Sequence, residues 1–117
     1  MEERRQERVA KLLREELGKL LLQKVKDPTV AGVTITAVHV SPDFSIAQIF
    51  FAASDDESAK RIGGGLDRAS PFLRRQLKSN LRLKRTPELR FKRDLNLEHG
   101  SHIDAILREI STEEGEG

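Results

Sequence analysis

A long stretch with helical spacing lies between two short stretches of β character, and this limits the topology more than any other feature of the chain. Ser45 to Ala52 and Pro87 to Arg93 both read as strands, while Ile62, Leu66, Ala69, Leu73 and Leu77 between them recur at helical intervals. Strands joined through a helix cannot form a tight hairpin. They pair in parallel through a crossover, whose expected hand is right-handed. Val33 to Ser41 supplies one more strand, and Ser41-Pro42-Asp43 is a turn signal joining it to Ser45 to Ala52 as an antiparallel hairpin. The alternation in the first strand changes phase: Val33 and Ile35 share one parity, Val38 and Val40 the other. A strand face switches only where a residue is inserted, so a β-bulge or twist is predicted near Thr36-Ala37. In the second strand both faces carry apolar residues. Ala47, Ile49 and Phe51 oppose Ile46, Gln48 and Phe50, so parity does not choose the buried face.

Before the hairpin, Val9, Leu12, Leu13, Leu17, Leu20 and Leu21 mark an amphipathic helix from about Glu3 to Lys24, with Asp27-Pro28 as its stop. The central helical stretch opens at Ser54-Asp55-Asp56-Glu57, which has the form of a capping box with Ser54 as cap. Gly63-Gly64-Gly65 weakens it, and Pro71 lacks the amide proton a helix interior needs. The sequence therefore predicts two helices meeting at a kink at Ala69, Ser70 and Pro71, with Ser70 capping the second and Pro71 at its first position. A short helix capped by Ser101 and carrying Ile103, Ile106, Leu107 and Ile110 closes the pattern. The expected architecture is α+β: a mixed three-stranded sheet with helices on one face, in the order helix, strand, strand, kinked helix, strand, short helix. Residues 1–110 form one domain, and 111–117 a flexible acidic C-terminal tail.

Charge is the second guide. The formal net charge is only +2, yet nine basic residues between Arg74 and Arg93 face Glu88 alone. Glu98, Asp104, Glu109, Glu113, Glu114 and Glu116 then face only Arg108. Such asymmetry points to a polyanionic partner for the basic stretch, the alternative being a solvated charged surface. Arg74, Arg75, Lys78, Arg82, Lys84 and Arg85 are the candidate RNA-binding residues, because arginine grips phosphate by two hydrogen bonds and lysine acts as a point charge. With five phenylalanines and neither tryptophan nor tyrosine, stacking platforms are scarce. Binding should rest on phosphate contacts and shape.

Catalytic and metal chemistry find no constellation. The absence of cysteine removes disulfides, thiolate ligands and thiol nucleophiles. His99 and His102 are three apart but lack further ligands, so no metal is expected. His39 has no serine elbow to serve, and the triple glycine is not followed by the Gly-Lys-Ser or Gly-Lys-Thr of a phosphate loop. The chain reads as a non-enzyme with no cofactor and no small-molecule substrate. With neither a secretory signal nor a transmembrane segment, it reads as a cytoplasmic monomer with no membrane partner.

Several segments in order carry a resemblance: Arg8-Val9-Ala10, Val25-Lys26-Asp27-Pro28, Val38-His39-Val40-Ser41-Pro42-Asp43, Phe72-Leu73-Arg74-Arg75-Gln76-Leu77, Arg85-Thr86-Pro87-Glu88-Leu89 and Ile103-Asp104. Together they resemble bacterial ribosome-binding factor A across about residues 4 to 110. The resemblance implies a K-homology type II fold, with Ala69-Ser70-Pro71 where the family has an Ala-x-Gly kink and proline in place of its glycine. It implies a partner, the free small ribosomal subunit and its rRNA. It also implies a role in late maturation of that rRNA, including its 5′ end, with a link to growth in the cold. A general RNA-binding or RNA-chaperone module, and an adaptor for an acidic protein, are the competing readings.

Overall fold

The computed structural model describes the backbone from residue 2 to 95 and the side chains from 4 to 95. The short final helix, His99, His102 and the acidic tail lie outside the described residues. Helix α1 spans Glu2–Gln23, strand β1 Ile35–Val40, strand β2 Ile46–Phe51, helix α2 Asp56–Leu81 and strand β3 Glu88–Arg93. A 3-10 turn, Pro28–Val30, links α1 to β1.

β2 is the central strand, antiparallel to β1 and parallel to β3. The crossover therefore has the predicted consequence. The bulge also falls where the parity change requires it: Ile35 pairs with Phe51 but Ala37 with Phe50, leaving Thr36 as the extra residue. Ile35 on one side of it and Val38 and Val40 on the other thus all reach the core. The face of β2 left open by parity is decided by the helices, which cover Ala47, Ile49 and Phe51. In register, Val38, Ile49 and Phe91 lie on that face, while His39, Gln48 and Arg90 lie on the other. The helices contribute Leu13, Leu17, Leu66, Leu73 and Leu77, all fully buried. At about 1.5–3 kcal/mol each, such side chains dominate the stabilisation of a domain this small.

α2 corrects the largest expectation. Ala69, Ser70 and Pro71 are helical, and one uninterrupted helix replaces the two helices with Ser70 as a cap. Pro71 withholds a donor from the carbonyl of Asp67, at a cost of about 3 kcal/mol. Pro71 and Asp67 are both exposed, so water can satisfy that carbonyl. Leu66 precedes the proline and Leu73 and Leu77 follow it, all on one buried stripe. Continuity keeps the three on the same sheet, and their burial outweighs the lost bond. The cap is also displaced by one residue: Asp55, not Ser54, caps α2 and accepts from the Ser58 amide at 2.8 Å. Nor does Asp27-Pro28 end α1 directly. α1 stops at Gln23, and Asp27 caps the 3-10 turn by accepting from the Thr29 amide at 2.9 Å.

The triple glycine has a packing role at one position. A Cβ on Gly65 would fall 2.7 Å from Val30 Cγ1 and closer still to the Thr29 hydroxyl. α2 therefore approaches the 3-10 turn at a distance only glycine permits.

Candidate nucleic-acid interface

The basic stretch divides between the last turns of α2 and the loop running to β3. Arg74, Arg75 and Lys78 lie on α2, and Arg82, Lys84 and Arg85 follow it, all exposed. Arg82 ends the helix in a left-handed conformation, φ 53° and ψ 41°, a position more often held by glycine or asparagine. This sharp exit folds the loop back along α2. Arg74 then fastens it: Nε donates to the Pro87 carbonyl at 3.0 Å and Nη2 to the Thr86 carbonyl at 2.8 Å. Pro87, fully buried, anchors the loop below.

A shallow groove results between helix and loop. Its basic lining is Arg74, Arg75, Lys78 and Lys84, with Pro71, Leu83 and Thr86 between them. Four of the six predicted residues thus converge there. Arg74 is committed to the loop carbonyls, so its main role is to shape the groove. Arg82 lines no part of it, and Arg85 faces a neighbouring cleft. Among the described residues, no carboxylate forms an ion pair with Arg75, Lys78 or Lys84. Positive charges held side by side without counter-ions raise the local potential and favour an anion.

The neighbouring cleft escaped sequence reasoning. Arg5 and Arg8 of α1 meet Lys84 and Arg85 at its rim. Val9, Leu12, Phe44 and Leu83 form an apolar floor, and Asp43 lies at one side. Leu83 and Lys84 belong to both depressions, so the basic surface continues from α2 to the start of α1. Arg8 belongs to a segment legible as a helix, but nothing local shows that this end of α1 meets a loop so far along the chain. The β1–β2 turn presents Phe44 with φ 61°. The turn is tightly bonded: Asp43 Oδ1 accepts from the Ser45 hydroxyl at 2.7 Å, the Ser45 amide at 3.1 Å and the Ser41 hydroxyl at 2.9 Å. These bonds, with a smaller contribution from the Arg85 charge, hold the Asp43 carboxyl at about 2, below the ordinary 3.8.

His39 is exposed on the open sheet face, its ring edge-on to Phe50 with centroids 5.4 Å apart. Among the described residues, no group of three histidine, aspartate or glutamate side chains gathers as a metal site would require. No helix among them is long and apolar enough to cross a membrane.

Comparison with known proteins gives an independent line of argument. The family model described as ribosome-binding factor A matches residues 5–107. The ribosome-binding factor A of Geobacter sulfurreducens is 42% identical over 112 residues, covering 95% of each chain. That of Syntrophobacter fumaroxidans is 40% identical over 117 residues, covering 97% of this chain and all of the relative. Among solved structures, the crystal structure of ribosome-binding factor A from Thermus thermophilus superposes with a TM-score of 0.68. It is 26% identical and covers 75% of this chain and 93% of its own. A homology model of the Thermus thermophilus factor, fitted into a cryo-electron-microscopy map of its 30S complex, gives a TM-score of 0.57 at 28% identity. It covers 70% of this chain and 87% of its own.

Proposed function

The chain belongs to the ribosome-binding factor A family, and we propose on that footing that it binds the free small ribosomal subunit and assists late maturation of its rRNA, including the 5′ end, without catalysis of its own. The Thermus relative is fitted into a complex with the 30S subunit, which supports the same partner for this chain. One structural observation carries the reading: Arg75 and Lys78 of α2 and Lys84 of the loop that Arg74 fastens line one groove, with no acidic partner among the described residues. Such a surface offers phosphate both charge and hydrogen-bond donors. A pure binder speeds maturation by favouring one rRNA arrangement over others, in proportion to its difference in affinity for them. Help of this kind matters most in the cold, when escape from misfolded RNA is slow. The reading places the protein in the cytoplasm, as a monomer acting on the subunit.

Two measurements test it. Sedimentation with purified small subunits, large subunits and whole ribosomes should show the protein with small subunits alone. A strain lacking it should accumulate free small subunits with unprocessed 5′ ends at low temperature, rescued by the natural chain. Normal subunit ratios and mature 5′ ends in that strain would remove the assembly role. Equal affinity for unrelated RNAs would favour a general RNA chaperone instead.

A further inference from the structure

The cleft between α1, the β1–β2 turn and the loop before β3 combines features that a phosphate-binding surface alone does not need. Its floor is apolar, built from Val9, Leu12, Phe44 and Leu83. Leu12 is 44% exposed, while Leu13 and Leu17 beside it on α1 are buried. Phe44 is held at φ 61°, where a large side chain is disfavoured and glycine or asparagine would be at ease. Three hydrogen bonds to Asp43 maintain the turn that imposes this conformation. Strained backbone held by its surroundings is characteristic of functional positions. The rim is cationic on the side of Arg8, Lys84 and Arg85, and Lys84 also belongs to the α2 groove.

From this arrangement we infer that the cleft receives a single unstacked nucleotide of single-stranded RNA, its base against Phe44 and Leu12 and its flanking phosphates on Arg8, Lys84 and Arg85. The inference deepens the proposed function by specifying what part of the rRNA this surface takes. A duplex cannot offer a base to an apolar floor, whereas a loop, bulge or free end can. Charge complementarity points to the same ligand, because a polyanion with apolar planar bases matches an apolar floor with a cationic rim. Asp43 sharpens the match. Its Oδ1 serves the turn, while Oδ2 accepts no hydrogen bond among the described residues. That free oxygen can accept from an exocyclic amino group, which cytosine and adenine carry and uracil lacks.

The test uses the full chain and labelled RNA heptamers: oligo-C, oligo-U, and oligo-C with one abasic nucleotide at its centre. The intact oligo-C should bind about tenfold more tightly than the abasic form, the size expected for one stacked base. Leu12→Gln and Phe44→Asn should each bring that ratio towards one, with the fold verified by circular dichroism. Asparagine suits the left-handed position, so Phe44→Asn removes the ring without adding strain. Arg8→Glu should weaken the intact and abasic forms alike and reduce the salt dependence of both. Oligo-C should bind more tightly than oligo-U. Equal binding of intact and abasic RNA by the natural chain would overturn the inference, as would equal binding of oligo-C and oligo-U. So would a folded Leu12→Gln variant that kept the full ratio, or an acidic peptide that bound the cleft more tightly than RNA. Co-sedimentation with small subunits separates the two levels. If it persists without a preference for the intact base, the nucleotide pocket fails and the ribosomal role stands. If the preference holds without co-sedimentation, the pocket stands and the ribosomal role fails.

Discussion

The two sides of α2 present arginines to a neighbouring turn in opposite ways. At the 3-10 turn, Arg68 lies 3.0 Å from Asp27 Oδ2, and the helix backbone approaches closely at Gly65. At the loop before β3, Arg74 bonds to backbone carbonyls, and among the described residues Arg75, Lys78 and Lys84 meet no carboxylate. On the first side the helix packs against the turn and Arg68 has a counter-ion in Asp27. The second is an ordered scaffold that leaves its charge available. The number of cations in a segment therefore says less than whether the fold supplies their counter-ions. An exposed pair such as Arg68–Asp27 contributes little to stability, because solvent screens it. Its more visible effect is to remove a positive charge from the surface.

The largest expected difference between the two sides is in binding. Reversing Arg75, Lys78 and Lys84 together to glutamate should weaken small-subunit binding roughly 100-fold at moderate salt and lower the salt slope by about 2–3. Arg68→Gln should change affinity less than about threefold, since its charge is already met. Filter binding across a salt series checks both, and equal losses at the two sites would break the distinction. Next in size is the packing contact. Gly65→Ala should destabilise the domain by about 1–3 kcal/mol despite alanine's better helix propensity, because its methyl meets Val30 and Thr29. Chemical denaturation measures this, and a stabilised variant would show that the contact yields.

Acid should act on the 3-10 turn and on the β1–β2 turn with the same sign. Thr29, through its amide and hydroxyl, and then Arg68 lower the Asp27 carboxyl, while Ser45 and Ser41 hold that of Asp43 at about 2. A carboxyl depressed by folding adds stability that is complete above its unfolded value and is lost as pH falls through its folded one. Melting temperature should therefore decline between about pH 4 and about pH 2. Asp43→Asn should flatten part of that decline, and an unchanged profile would show that the turn's bonds do not persist in solution. The smallest effect should be at Gly64. A Cβ there meets only the end of the Arg68 side chain, at 3.6 Å. Gly64→Ala should stabilise the domain by about 0.5–1 kcal/mol. Paired with Gly65→Ala, it separates helix propensity from close approach one residue apart.

Features that depend on neighbours along the chain are legible in the residues alone. Strand order follows from alternating and helical periodicities, and the parallel pairing of β2 and β3 from the helix between them. The bulge at Thr36 is legible because a parity switch has no other remedy in a paired strand. Features that depend on surfaces meeting across the chain emerge only on folding. The core face of β2 is chosen by the helices that cover it. α2 stays whole through Pro71 because Leu66, Leu73 and Leu77 are buried on one sheet, an energy no local rule includes. Of the six basic residues expected to bind RNA, Arg74 goes to backbone carbonyls and Arg82 to a helix end, while Arg8 joins Lys84 and Arg85 from the opposite end of the chain. A charge run records where cations lie in sequence. Which of them face a ligand is set by the acceptors that the folded chain brings within a hydrogen bond's reach.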